Sequence, residues 1–403
     1  MTGTTIAQAI PIAISPILTR IYTPEDFGLL ALYVSIVSIL SVVVTGQYEL
    51  AIMLPKKDND AINIMALSMI ITFSMSFILL CIIFLLNENI TKLLGNEEIS
   101  NWLYLIPFSI FLTGTYNSLN YWLNRKKNYK ILSTTRIYQS LTTSTSNISF
   151  GAINYGSGGL ILGSLMGQVV GTYRLMKKTS IKLLFVHINR LKIISLAKKY
   201  RKFPKITVPH SVFSTTSMSL PIFIITYYFS TKETGYFSFA SKIVMLPIGL
   251  ISNAYYQVFF ESFSKEENKE DFFKQKFKQV NMIFLPIFFL LWFIFPELFA
   301  FVFGEKWKVA GVYTQILLPL FYLKFLSNLF TTTIYIYYEK QSENFILGVF
   351  IFIMTLISLL IGAYFQNIIL GLILMSMSNG IVILYKIYCS FIFVKDTKGN
   401  VKC

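Results

Sequence analysis

Acidic residues are scarce in this sequence. Only 19 Asp+Glu stand against 35 Lys+Arg, and charged residues make up 13% of the 403-residue chain. Soluble domains are about a quarter charged, so a chain this poor in charge does not have the surface of an ordinary soluble protein. Cysteine is almost missing: Cys81, Cys389 and Cys403 show no ligand spacing, which leaves neither a disulfide framework nor a cysteine metal site. Histidine occurs only as His187 and His210, both read as interfacial residues. No nucleophile triad, zinc set or nucleotide loop is present, and no cofactor is implied. Gly156-Ser157-Gly158-Gly159 lacks the Lys-Ser/Thr of a phosphate loop and reads as a tight external turn. The N-terminus lacks a basic region ahead of Ile6–Ile17, so its first segment reads as a retained helix rather than a cleavable signal.

What the chain has in abundance is apolar sequence. Hydrophobic residues make up 54% and the mean hydropathy is +0.61, the composition of an all-α polytopic membrane protein. A helix crossing about 30 Å of hydrocarbon needs about 20 mostly apolar residues. On that criterion there are twelve spans, near 3–22, 27–54, 60–86, 100–123, 131–154, 158–176, 206–230, 235–260, 279–303, 310–337, 343–365 and 367–392. Pro11, Pro16, Pro107, Pro221, Pro247, Pro286 and Pro319 fall inside them and are expected to kink them.

The formal net charge of +16 is gathered in short clusters between apolar runs, the pattern of the positive-inside rule rather than of nucleic-acid binding. Loops after even-numbered spans, with the C-terminus, hold 26 Lys+Arg, while those after odd-numbered spans hold five. Both termini are therefore expected to be cytoplasmic. Eleven of the basic residues fall between Arg174 and Lys205, a stretch without Asp or Glu. Interleaved with Ile181, Leu183, Leu184, Phe185, Ile188, Leu191, Ile194 and Leu196, they form a basic amphipathic segment suited to an anionic membrane surface.

That segment divides an internal repeat. Tyr22-Thr23-Pro24-Glu25-Asp26-Phe27-Gly28 aligns with Phe229-Ser230-Thr231-Lys232-Glu233-Thr234-Gly235, Leu94-Gly95 with Phe303-Gly304, and Pro107 with Pro319. Six spans per half give both halves one orientation, related by an axis along the membrane normal. The expected organisation is an N-terminal lobe (1–178), a cytoplasmic linker (179–205) and a C-terminal lobe (206–403).

Ionisable residues within spans are costly and mark candidate sites. Lys242 and Lys324 lie deep in theirs, where a cation needs water, an acidic partner or an anionic substrate. Arg20 and Arg136, nearer to span ends, reach the interfaces or join the same cationic cavity. Glu49, in Gly46-Gln47-Tyr48-Glu49-Leu50, sits toward the inner end of a long apolar helix and is the candidate for ion coupling; its alternative is to reach the interface beside Lys56 and Lys57. Glu25 and Asp26 suit the capping of a helix start. Gln8, Asn117, Asn253 and Gln257, with the Ser/Thr-rich run at 140–149, supply hydrogen-bonding groups either to a glycan or between helices.

Leu18-Thr19-Arg20-Ile21-Tyr22-Thr23-Pro24-Glu25-Asp26-Phe27-Gly28, Tyr48-Glu49-Leu50-Ala51-Ile52-Met53-Leu54-Pro55, Asn120-Tyr121-Trp122-Leu123-Asn124-Arg125-Lys126-Lys127, Tyr200-Arg201-Lys202-Phe203-Pro204 and Phe303-Gly304-Glu305-Lys306-Trp307 resemble the Wzx-type polysaccharide flippases. These O-antigen or capsule repeat-unit transporters belong to the MATE-like MOP superfamily. The resemblance spans essentially the whole chain. It implies a V-shaped, two-lobed bundle in the bacterial inner membrane that moves undecaprenyl-diphosphate-linked oligosaccharide from the cytoplasmic to the periplasmic leaflet. It further implies a cationic cavity at Lys242 and Lys324, coupling to H+ or Na+, membrane-lipid contacts, and a glycan polymerase as a possible partner. A multidrug antiporter of the same fold would call for acids in the cavity, where the buried charges here are mostly basic. A membrane glycan polymerase or ligase would call for a large outer loop carrying Arg or His, where the outer loops here are short.

Overall fold

A computed structural model describes residues 2–179 and 188–395. Lys182, His187, Cys403 and most of the first third of the expected linker (180–187) lie outside the described residues. All regular elements among the described residues are helical: α1 (Thr2–Ile21), α2 (Pro24–Val44), α3 (Tyr48–Ala51), α4 (Asp58–Leu94), α5 (Ser100–Leu103), α6 (Ile106–Arg125), α7 (Tyr129–Ala152), α8 (Gly156–Thr179), α9 (Arg190–Lys199), α10 (Val208–Tyr228), α11 (Thr231–Lys265), α12 (Lys269–Phe303), α13 (Lys308–Leu326), α14 (Thr332–Tyr337), α15 (Gln341–Tyr364) and α16 (Ile368–Lys395). One π turn leads into α10, and another, Ser327–Thr331, joins α13 to α14. Among the described residues nine helical segments are long and apolar enough to cross a membrane. The three other expected spans are α6, α7 and α8, of 20, 24 and 24 residues; they have the length, but their polar residues lower their hydropathy. The protein is an all-α polytopic membrane protein.

Three local expectations are corrected. The span expected over 27–54 ends at Val44, because Gly46 (φ 59°) and Gln47 (φ 58°) both take the left-handed conformation, which an α-helix cannot continue through. Pro107 does not kink a helix; it lies in the first turn of α6, where its missing N–H costs nothing. The glycines after Tyr155 do not all form a turn: α8 starts at Gly156, and Gly158 and Gly159 are helical and buried against Trp102 and Tyr22. The capping expected at Asp26 is present. The Thr23 hydroxyl accepts from Asp26 N–H (3.2 Å) while the Asp26 carboxylate accepts from Thr23 N–H (2.8 Å), a reciprocal capping box.

The chain forms two compact units, Met1–Gly235 and Tyr236–Cys403. Helix α10, which the repeat assigns to the second half, packs against α2 in the first unit. In that unit α7 and α8 approach closely because α8 presents glycines to the polar stripe of α7. A Cβ on Gly163 would lie 1.9 Å from Asn147 Oδ1, and one on Gly167 1.9 Å from Thr143 Oγ1, so only glycine permits this small-residue packing. The second unit is held by aromatic clusters, one joining Phe239, Phe299, Phe303 and Trp307, the other Phe259, Phe273, Phe277, Phe330 and Phe391.

Candidate functional site: cations without carboxylates and one buried acid

In the second unit, one face of α11 is buried through Ala240, Val244, Ile248, Ser252, Phe259 and Phe263. At 100° per residue the opposite face carries Lys242, Gly249, Asn253 and Gln257. Lys242, Asn253 and Gln257 are exposed, and the position of a Cβ on Gly249 meets open space. Three residues chosen from sequence thus share one open stripe. Lys324, near the end of α13, is half-buried. Neither lysine joins a salt bridge among the described residues, where each ion pair involves other groups. Lys386 behaves likewise. It lies on α16 with its ammonium 5.5 Å from the centre of the Tyr335 ring, a cation–π contact, and with no carboxylate partner among the described residues. Its place inside an apolar run is the sequence signal that marks it.

In the first unit, Arg136 is half-buried, donates to Thr4 Oγ1 (3.1 Å) and reaches the Tyr116 hydroxyl. This joins α1, α6 and α7. Asn117 is half-buried on α6, whereas Gln8 and Arg20 are exposed on α1, Arg20 in its last turn. Arg174, the first residue of the basic stretch, lies within α8. It stacks 4.0 Å over the Tyr138 ring and donates to Thr134 Oγ1 (3.4 Å), and its Nε is buried without a partner. Residue spacing could not find this contact, because Tyr138 is on another helix.

Glu49 is not on a long helix as expected; it belongs to the short α3, after the break at Gly46-Gln47. Its side chain is buried, only 5% exposed, with Oε2 unpartnered among the described residues. Burial pushes its carboxyl above the ordinary carboxylate value, an effect partly offset by a hydrogen bond from Thr45. The segment after it is held by Arg125, whose guanidinium donates to the carbonyls of Ile52 (3.2 Å), Met53 (3.4 Å) and Lys56 (3.4 Å) and to Asp58 Oδ1 (3.0 Å). Glu49 is therefore a buried acid in a turn that Arg125 holds from the other side.

No group of three or more His, Cys, Asp or Glu able to hold a metal occurs among the described residues. The fold is one shared with solved members of the MOP superfamily. An inward-facing multidrug resistance MATE family transporter of that superfamily matches with TM-score 0.71 at 16% identity over 97% of this chain and 96% of that one. The lipid II flippase MurJ, in an inward closed conformation, matches with TM-score 0.76 at 13% identity over 97% and 88%. A MOP superfamily transporter from Pyrococcus furiosus matches with TM-score 0.62 at 13% identity over 99% and 95%. No curated protein sequence matches the chain. The model of the polysaccharide biosynthesis protein family matches residues 17–311, and the chain belongs to that family.

Proposed function

We propose that the protein is a flippase that moves a lipid-diphosphate-linked oligosaccharide from the cytoplasmic to the periplasmic leaflet of the bacterial inner membrane. It would do so by alternating access between two six-helix lobes, residues 1–178 and 206–403, joined by the linker at 179–205. The observation that carries this reading is the set of span lysines, Lys242, Lys324 and Lys386, none with a carboxylate partner among the described residues. Such cations are tolerable in a membrane where water or an anion reaches them, and a diphosphate is an anion of the right kind. Asn253 and Gln257, on the same stripe as Lys242, supply hydrogen bonds for sugar hydroxyls. Arg136 and Asn117 do so from the first unit, with Gln8 and Arg20 farther along α1. Glu49 is the group for coupling to H+ or Na+. Membership of a polysaccharide biosynthesis family and a fold shared with a protein named as a lipid II flippase support the substrate class.

The test is depletion of the protein in its host, followed by assay of lipid-linked oligosaccharide on each leaflet. Accumulation on the cytoplasmic leaflet is expected. An unchanged distribution with loss of small-molecule efflux would replace the reading with an antiporter, and accumulation of unpolymerised repeats on the outer leaflet would replace it with a polymerase.

A further inference from the structure

The sequence assigns the apolar residues of the basic stretch to the membrane, but the structure turns part of that stripe inward. Leu196 is buried, and Ile188, Ile193 and Ala197 pack with it against the cluster built from α3, α4 and α6 around Ile62, Met65 and Trp122. Polar contacts fix the same face. Asn189 N–H donates to Asn63 Oδ1 (2.8 Å), Lys192 Nζ is 4.0 Å from Asp60 Oδ1, and the Tyr48 hydroxyl donates to the Ala197 carbonyl (3.1 Å). Asn189 also caps α9, its side chain accepting from Leu191 and Lys192 N–H. This helix is thus clamped along one side to the beginning of α4.

The other side is uncovered by the described residues. At 100° per residue, Leu191, Ile194 and Lys198 lie opposite Leu196 and Ile193, with Arg190 on the flank between the two faces. All four are exposed, Leu191 at 78% and Ile194 at 45%. Lys199, Arg201, Lys202 and Lys205 are exposed close by, and the stretch from Arg174 to Lys205 holds no acid. Asn63 lies five residues into α4, which at 1.5 Å per residue places the clamp about 8 Å from that helix's end. That is the depth of the headgroup region if α4 spans the bilayer. A basic helix presenting two apolar side chains at that depth matches an anionic phospholipid surface: the cations meet headgroups while Leu191 and Ile194 enter the acyl boundary.

We propose that the outer face of α9 docks on anionic phospholipid headgroups, with Leu191 and Ile194 immersed and Arg190 and Lys198 on the phosphates. Because Tyr48 ties α9 to α3, headgroup binding also bears on the turn that carries Glu49, so the protein's position at this point depends on lipid charge. The inference concerns the lipid surface alone and stands whether or not the transported molecule is a lipid-linked glycan.

The experiment uses the full chain with Cys81, Cys389 and Cys403 replaced and a nitroxide label at Leu191→Cys or Ile194→Cys. A label at Lys57→Cys, in the exposed loop before α4, serves as the water reference. Each is reconstituted in phosphatidylcholine alone and in phosphatidylcholine with phosphatidylglycerol, and accessibility to oxygen and to a water-soluble nickel chelate is measured. Labels at 191 and 194 are expected to become oxygen-accessible and nickel-shielded only with phosphatidylglycerol, and high salt should reverse the change, while the label at 57 stays wet in both. Neutralising Arg190 and Lys198 to Gln should weaken docking by roughly fivefold per residue. Equal accessibility in the two lipids, or immersion that ignores both lipid charge and salt, overturns the proposal.

Discussion

Gly28 and Gly235, equivalent positions of the internal repeat, lie against each other across the first turns of α2 and α11. A Cβ on Gly28 would fall 1.8 Å from the Thr231 carbonyl oxygen, and one on Gly235 1.8 Å from that of Pro24, while Pro24 and Thr231 are themselves repeat partners. The flanking chemistry has the same symmetry. Glu25 and Lys232, also equivalent, stand 3.8 Å apart, and Ser230 caps α11 by accepting from Glu233 N–H (3.1 Å) as Thr23 caps α2.

Because the obstructing atoms are backbone, an added methyl cannot be accommodated by a rotamer change. Gly28→Ala and Gly235→Ala should each force the two helix starts apart, at an overpacking cost of about 1–3 kcal/mol. In a Glu25→Cys, Lys232→Cys protein, a bifunctional thiol reagent about as long as the Glu–Lys pair it replaces should join the two positions, and either alanine should lower the yield. Undiminished cross-linking in both alanine variants would show that this contact is not the one that holds α2 to α11.

The repeat made this contact legible in part. Sequence paired the two motifs but gave no sign that they touch, since an offset records ancestry and not distance. Nine of the expected spans were legible among the described residues because hydropathy and length mark them, while α6, α7 and α8 have the length without the hydropathy. The break between α2 and α3 was not, since Gln47 is an ordinary residue held in a left-handed conformation by its surroundings. The site was legible as charge in the wrong solvent, which singled out Lys242 and Lys324. Arg174 escaped because it is contiguous with a basic run, and only helix packing separates it from the loop.

Orientation is open to direct labelling. The expected cytoplasmic side carries Lys57, and the expected outer side carries Glu98, both exposed. In a cysteine-free background, Glu98→Cys should react with an impermeant thiol reagent in intact cells and Lys57→Cys only after permeabilisation. The reverse pattern would invert the topology.

Glu49 should give the protein a pH dependence. Its carboxyl titrates above the ordinary value because burial disfavours the charged form, so its contribution to stability is fully present below the unfolded-state pKa near 4.5. That contribution is lost as pH rises through the folded value. Glu49→Gln should flatten the melting temperature across that window and stabilise the protein at neutral pH, while abolishing ion-driven cycling. Normal surface glycan from Glu49→Gln at native expression would remove this residue from coupling.

The lysines of the second unit carry the strongest functional expectation. If Lys242, Lys324 and Lys386 hold a diphosphate, each contact resembles a hydrogen bond between charged groups and is worth about 1.5–3 kcal/mol. Losing one should therefore slow flipping by about tenfold or more. A structural role would look different: removing a snorkelling lysine would leave activity intact, and removing a packing contact, such as that of Lys386 with Tyr335, would lower the amount of folded protein. Lys242→Ala, Lys324→Ala and Lys386→Ala should be scored for membrane abundance and for surface polysaccharide in a flippase-deleted host, alongside the three Arg variants. Arg keeps the charge and binds phosphate through its planar fork, so it should rescue where Ala fails at equal abundance. Full complementation by all three Ala variants would mean that these cations do not hold the substrate, and the anion site would have to be sought at Arg136 and Arg174 in the first unit.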